Sequence, residues 1–223
     1  MAEALKCLSG GRTDNSEPET LDMMPVASNL MSELDTTLRK IPDSRHQVIL
    51  RRVTDLFLIG AGNYADEQIV LFDDVFSRLI ENMDQAALIE LSERLGPADQ
   101  GPANVLARLS DCEDIAISGP ALEKSTTLTD EALVEIAAKK SQAHLAAIAG
   151  RHQISPLVTD VLIERGNMNV SRKLSANMSA NFSETGFVKL INRAKSDRDL
   201  ATRIAERDDL PEELIPFLKL TLA

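Results

Sequence analysis

The stretch SPLVTDVLIERG, residues 155–166, contains signals that begin and end a helix. Ser155 can cap the first free amides, Pro156 suits the first helical position, and Gly166 can end the helix in a left-handed turn. The aliphatic residues between them share one face at helical spacing: Val158, Leu162 and Ile163. The stretch therefore predicts one short amphipathic helix.

A similar segment returns at a nearly constant interval along the chain. SETGFVKLINRA begins 28 residues later, at Ser183, and PEELIPFLKLTL begins a further 28 later, at Pro211. Earlier copies begin at Pro102 and Thr129, so the five starts are 27, 26, 28 and 28 residues apart. Mostly apolar residues stand three, four and seven positions after the starts: Val105, Ala132, Val158, Gly186 and Leu214; Leu106, Leu133, Thr159, Phe187 and Ile215; and Leu109, Ile136, Leu162, Leu190 and Leu218.

Another helix is predicted before each of these starts, so the helix that begins at the start is the second helix of a hairpin. A single hairpin of about 27 residues cannot bury both of its apolar faces, whereas stacked copies bury them against their neighbours. We therefore expect an all-α fold, a HEAT-like α-solenoid of about five short hairpins. Gly186 at a buried position predicts close approach between two neighbouring hairpins. The preceding helices are expected to share one register: Leu95, Leu122, Ile148, Ala176 and Ile204.

The chain before the repeats divides into two parts. Residues 9–22 are polar and rich in Gly, Ser, Pro and acidic residues, which predicts a flexible tail over residues 1–25. Residues 26–83 predict an N-terminal helical bundle whose first helix spans residues 26–41. This bundle is expected to have Phe residues at its centre and to cap the hairpin repeats of residues 84–223.

A family resemblance rests on the segment RHQVILRRVTDLFLIGAGNYADEQIVLFDDVFSRLI, residues 45–80. Its Arg- and Leu-rich LRRVTDLF, the short acidic ADEQ and the LFDDVFSRLI helix, followed by short helical repeats, resemble a bacterial domain-of-unknown-function family, number 2336. The resemblance runs from about Arg45 to the C-terminus. It implies an all-helical HEAT-like protein and brings no activity or catalytic residues with it.

Composition narrows the possible functions. The 223 residues carry a formal charge of −11, which argues against general affinity for nucleic acid or an anionic membrane. Cys7 and Cys112 are the only cysteines and are expected to be free thiols. No apolar run approaches the length of a membrane span, and the N-terminus lacks the features of a signal or transit peptide. We expect a soluble cytoplasmic protein.

Candidate catalytic groups are few. His46, near the start of a predicted helix, faintly resembles the phosphate-accepting histidine of two-component kinases, although an exposed surface histidine is the simpler interpretation. His144 and His152 are eight residues apart, whereas helical metal ligands are usually three or four apart. The adjacent acids Asp73 and Asp74 diverge on a helix. We therefore predict no enzyme activity, no metal and no cofactor.

One cation recurs ten residues after three successive helix starts: Lys139, Arg165 and Arg193. Residues 139–207 contain twelve Lys and Arg against six Asp and Glu, so this window is basic within an acidic chain. In stacked hairpins the three cations would line one edge and form a ridge for an anion or an acidic partner. A cation in the last turn of a helix also complements the helix dipole without any ligand. Both interpretations remain open at this stage.

The expected function is a non-enzymatic scaffold or regulatory adaptor that binds an acidic segment or a helix of a partner protein. A homodimer through the N-terminal helices is a further expectation. The alternatives are binding of a phosphate-containing ligand, a nucleotide or nucleic acid, by the cationic ridge, and histidine phosphotransfer through His46. Since helical repeats serve many functions, the first choice depends on analogy of architecture.

Overall fold

The computed structural model describes residues 43–222 together with Thr36. The predicted tail of residues 1–25, including Cys7, lies outside the described residues. The predicted helix of residues 26–41 lies outside them as well, apart from Thr36.

All regular elements of residues 43–222 are helical, which confirms the all-α prediction. Two short 3-10 turns, Ile80–Asn82 and Glu212–Leu214, accompany the α-helices, and a single isolated β-bridge joins Ile154 to Ala180. No described helix combines the length and apolarity that crossing a bilayer requires. The helices are α1 (Asp43–Gly60), α2 (Asp66–Leu79), α3 (Gln85–Leu95), α4 (Ala103–Ser110), α5 (Ile115–Lys124), α6 (Asp130–Lys139), α7 (Gln142–Ile148), α8 (Pro156–Arg165), α9 (Met168–Ala176), α10 (Glu184–Ala194), α11 (Arg198–Ala205) and α12 (Ile215–Leu222).

The predicted starts are the residues that cap the second helices. Thr129, Ser155 and Ser183 each accept a hydrogen bond through the side chain from the backbone amide three residues later, which satisfies one free donor of the first turn. Pro102 occupies the same position without a side-chain bond. Pro211 instead precedes the 3-10 turn Glu212–Leu214, and α12 begins at Ile215. Four predicted helix starts are therefore confirmed, and the fifth lies one short turn before its α-helix.

Gly166 ends α8, but not in the predicted conformation. Its φ of −67° and ψ of 143° are extended, so the expected left-handed turn is wrong. A Cβ at this position would stand 2.4 Å from the Leu162 carbonyl oxygen and 2.7 Å from Val170 Cγ1. Glycine is required here because the chain turns too tightly between α8 and α9 to accommodate a side chain.

The helices pack in two rows, because helices two places apart along the chain pack on each other in every case but one. In the first row α1, α3, α5, α7, α9 and α11 follow one another in contact. In the second row α2 packs on α4, and α6, α8, α10 and α12 follow one another. The second row is interrupted between α4 and α6, which do not pack closely. A groove of about 430 Å³ lies at this interruption.

The buried aliphatic side chains between the rows form the core. The residue seven places after each start is buried in all five copies, and Leu162 is 0 % exposed. Gly186 is buried, and a Cβ there would stand 2.9 Å from Asp160 Oδ1 and 3.2 Å from Ile163 Cδ1, both on α8. The predicted close approach of neighbouring hairpins is confirmed. Ala176 is exposed and Leu174 is buried instead, so the register predicted there is wrong.

The aromatic residues of α1 and α2 form one cluster. The Phe57 ring lies edge-on to Phe72 and Phe76 with centroids 5.2 and 6.0 Å away, and Tyr64 packs against Phe72 at 5.1 Å. This cluster lies between the first two described helices, as their phenylalanines predicted. Helix α1 packs on α3 in the first row, and α2 packs on α4 in the second row.

Candidate functional site

Two of the three predicted site cations bind backbone carbonyls of the neighbouring hairpin. Arg165, at the end of α8, donates through Nη1 to the carbonyl of Ala137 at the end of α6. Arg193, at the end of α10, donates to the carbonyls of Gly166 at 2.6 Å and Glu164 at 3.2 Å. The last carbonyls of a helix have no partner within it, so each guanidinium satisfies and neutralises a helix end. This geometry favours the dipole interpretation of the two arginines.

Lys139 lies outside this arrangement. Its exposed ammonium pairs with Glu135 at 2.5 Å, and it lines the groove at the interruption of the second row. The next residue, Lys140, makes the equivalent contact, donating to the Asp111 carbonyl at 2.5 Å. The Glu113 carboxylate, 2.7 Å from the ammonium, is the main cause that raises the pKa of Lys140.

A fourth cation makes the same kind of contact near the N-terminus. Arg108, at the end of α4, donates to the carbonyl of Ser77 in the last turn of α2 at 3.0 Å. The first capping series is therefore Arg108, Lys140, Arg165 and Arg193, and each member joins the end of one second-row helix to the end of the preceding one.

A second capping series, Arg151, Asn177 and Arg207, joins the ends of the first-row helices. Arg207 Nη1 donates to the carbonyl of Asn177 at 2.7 Å. Asn177 Nδ2 donates to the carbonyl of Arg151 at 2.7 Å, and Arg151 Nη2 donates to the carbonyl of Ser125 at 2.5 Å. Asn177 and Arg207 therefore bind the backbone of the preceding member, and Arg151 binds the end of α5, which makes a continuous chain of hydrogen bonds across α5, α7, α9 and α11.

Sequence reasoning missed the second capping series, although a signal for it exists. Its members stand three residues after the buried aliphatic residues Ile148, Leu174 and Ile204. The expected register used Ala176 in place of Leu174, so Asn177 did not align with the two arginines. The mixture of Arg and Asn also hides a shared role, since both residues are donors to carbonyl oxygens.

A polar groove of about 900 Å³ lies beside the second capping series. Arg151, which is 7 % exposed, is part of its wall. Burial lowers the pKa of Arg151 from its ordinary value, and the charge of Asp130 partly offsets that effect. The groove is lined by Glu123, Lys124, Ser125, Thr126, Leu128, Asp130, Gly150, Arg151, His152, Gln153, Asn177 and Ser179.

An apolar groove of about 500 Å³ lies between α10 and α12. Its walls carry large exposed hydrophobic side chains, with Val188 41 %, Phe217 60 % and Leu220 77 % exposed. Exposed apolar groups that frame a concave surface are typical of sites that bind another molecule. The groove is lined by Val188, Ile191, Asn192, Lys195, Leu214, Phe217, Leu220 and Thr221.

The histidines differ in their surroundings. His46 is 7 % exposed at the start of α1, so the expectation of an exposed surface histidine is wrong. An imidazole so enclosed is poorly placed to receive a phosphoryl group from another protein. His144 is 1 % exposed and donates through Nε2 to the Cys112 carbonyl at 3.0 Å, while His152 is exposed. Within residues 43–222 no three His, Cys, Asp or Glu side chains converge as metal ligands.

The acidic pair on α2 has a structural role. Asp73 is buried and accepts hydrogen bonds of 2.9 Å from the backbone amides of Asn104 and Val105 in the first turn of α4. Asp74 is exposed, so the two carboxylates diverge as predicted.

Comparison with known proteins finds a family match in the C-terminal part of the chain. Residues 117–218 match the family DUF2336, described as an uncharacterised protein conserved in bacteria. The segment of residues 45–80 on which the resemblance was based lies outside the matched range. No curated protein and no solved structure matches the chain. The matched helices run from α5 to α12, and over this range the chain is similar to the bacterial domain-of-unknown-function family 2336.

Proposed function

We propose that this protein is a non-enzymatic adaptor whose helices form a HEAT-like α-solenoid and whose apolar groove binds a helix of a partner protein. The two rows support the solenoid arrangement, since all helices two places apart pack on each other except α4 and α6. The aromatic cluster of α1 and α2 supports the role of these helices as an N-terminal cap.

The groove between α10 and α12 carries the proposal. Val188 and Ile191 are three residues apart on α10, and Phe217 and Leu220 are three apart on α12. Rows at this spacing form ridges that interdigitate with the side chains of another helix. A partner helix with apolar residues at i, i+3 and i+7 would therefore fill the groove, as in other helix-in-groove complexes.

The charge at the rim indicates an acidic partner. Lys195 is the single charged side chain among the described residues that line the groove, and it makes no ion pair with them. A carboxylate on the partner helix, next to its apolar face, would meet this ammonium. Such a contact contributes more to specificity and association rate than to affinity.

The alternative functions have less structural support. Arg165 and Arg193 already bind carbonyls, and Lys139 stands among carboxylates, so the predicted ridge offers few free donors for a phosphate. Phosphotransfer through His46 would require a buried imidazole to become accessible. The predicted homodimer through the N-terminal helices stays a prediction. On α1, Leu56 is 57 % and Ile59 84 % exposed, which leaves an apolar surface available for it.

The proposal is tested by affinity capture with matched surface variants. The groove variant carries Phe217→Ser and Leu220→Ser, and the control carries Leu157→Ser and Met178→Ser, which are 55 and 60 % exposed elsewhere. We expect at least one protein of the native cell to be retained by the wild type and the control and to be lost with the groove variant. Equal retention by all three proteins, or retention by none, would contradict the proposal.

A further inference from the structure

Arg151 and Arg207 occupy equivalent places in two hairpins. Each stands three residues after a fully buried isoleucine, Ile148 or Ile204, and each is itself at least nine-tenths buried. Each donates both Nη groups to backbone carbonyls at the end of the preceding first-row helix or, for Ala180, in the loop just after it. The backbone therefore presents two copies of one arginine site.

The two arginines differ in the hydrogen bonding of the third guanidinium nitrogen, Nε. Arg207 Nε donates to Asp209 Oδ1 at 2.7 Å, and Nη2 donates to Oδ2 at 2.8 Å, a two-point contact between guanidinium and carboxylate. The residue two places after Arg151 is Gln153, which is exposed. Arg151 Nε has no hydrogen-bond partner, and no carboxylate of the described residues lies within ion-pair distance of Arg151.

A buried guanidinium without a counter-ion is costly, because charge is removed from water without full compensation. The edge formed by Nε and one Nη matches the two oxygens of a carboxylate. At Arg207 this chain supplies that carboxylate itself. At Arg151 no carboxylate of the described residues takes that place, and the arginine lines the polar groove of about 900 Å³.

The lining of the groove indicates the class of ligand. Thr126 and Ser179 are exposed and offer hydroxyl groups, which suits a polar extended peptide better than an apolar helix. Glu123 and Asp130 stand in the same wall, so a doubly charged phosphate would meet more repulsion than a single carboxylate.

We propose that Arg151 binds an Asp or Glu side chain of an acidic peptide segment from another protein, in the position that Asp209 takes beside Arg207. The exposed Gln153 lines the same groove and stands two residues after Arg151, as Asp209 stands two after Arg207. The site is separate from the apolar groove between α10 and α12 and does not depend on the function proposed for that groove.

The test follows the arginine Nε–H signals of the full chain by 1H–15N NMR. The probe is the peptide acetyl-Gly-Ser-Asp-Glu-Gly-Ser-amide, and the control peptide has Asn and Gln in place of the acids. We expect the Arg151 Nε–H signal to move and saturate with the acidic peptide alone. The Arg207 signal should stay in place, because its carboxylate position is already filled.

Two variants of the neighbouring residue sharpen the test. Gln153→Asp supplies a carboxylate within the chain, so the Arg151 signal should move toward that of Arg207 and peptide affinity should fall by about tenfold or more. Gln153→Asn, of the same size without charge, should bind the peptide like the wild type. An unmoved Arg151 signal, equal movement of both arginine signals, or full binding by Gln153→Asp would overturn the proposal. Tighter binding of acetate or inorganic phosphate than of the peptide would overturn the assignment to a peptide.

Discussion

Both capping series provide hydrogen-bond donors for the unpaired carbonyls at helix ends, but with different residues. All members of the first capping series are cations. Among them, Arg165 and Arg193 donate to carbonyls at the ends of α6 and α8. The second capping series uses Arg, Asn and Arg, and its members also bind one another's backbone. The comparison teaches that a helix end packed beside another helix of the same row needs a donor from that neighbour and that this donor need not be charged.

The largest effect is expected in the core that both series enclose. Leu162→Ala removes a side chain that is 0 % exposed and should lower the free energy of unfolding by about 2–4 kcal/mol. Glu164→Ala, two residues away, removes an exposed carboxylate that pairs with Lys189 and should leave stability nearly unchanged. Urea unfolding of the two variants measures the difference. Equal losses would show that the repeat register is wrong.

The next effect separates the two arginines of the second capping series. Arg207→Gln leaves Asp209 and the carbonyls of Ser175, Asn177 and Ala180 without their donor and should cost about 3 kcal/mol. Arg151→Gln frees two carbonyls and no carboxylate, and should cost about 1–2 kcal/mol. The same unfolding experiment compares them. The carboxylate proposal requires Arg207 to have a partner that Arg151 lacks. A larger loss of unfolding free energy from Arg151→Gln than from Arg207→Gln would contradict it.

The smallest effect concerns how the free energy of unfolding depends on acidic pH through the ion pair of Arg172 and Asp197. Arg172 donates to Asp197 and is the main cause that lowers the pKa of that carboxyl. A carboxyl with a lowered pKa in the folded state binds fewer protons than in the unfolded state, so it adds stability above the ordinary aspartate pKa of about 4. This stability is lost as the pH falls through the lowered pKa.

Urea midpoints measured from pH 6 down to pH 3 test this acid sensitivity. The decline should be shallower for Asp197→Asn than for the wild type. Glu184→Gln, which removes an exposed carboxylate in the first turn of α10, is the control and should follow the wild type. A decline of the same slope in all three proteins would show that Asp197 does not contribute.

The repeat of apolar residues was sufficient to predict the second helix of each hairpin. A buried column such as Leu109, Ile136 and Leu162 depends on short-range spacing, which the sequence displays directly. Residues such as Ser155 and Ser183 also mark where those helices begin, because capping is a local interaction.

The rest depends on contacts between hairpins and could not be predicted in this way. From Ile148 to the start at Ser155 there are seven residues, but from Leu174 to Ser183 there are nine. A constant spacing therefore placed Ala176 in the core and concealed Asn177. The acceptors of both series are backbone carbonyls, which carry no signature in the sequence. For the same reason the sequence pattern pointed to Lys139 as the cation of this helix end, whereas Lys140 donates to the Asp111 carbonyl.

The central claim is that the cations at the helix ends hold neighbouring hairpins together, and one measurement tests it most directly. The free energy of unfolding is determined in urea for Arg165→Gln with Arg193→Gln and compared with Lys139→Gln. The double variant leaves helix-end carbonyls without their donors and should lose about 2 kcal/mol, whereas Lys139→Gln should match the wild type. A double variant as stable as the wild type would contradict the claim and favour the ligand-binding ridge instead.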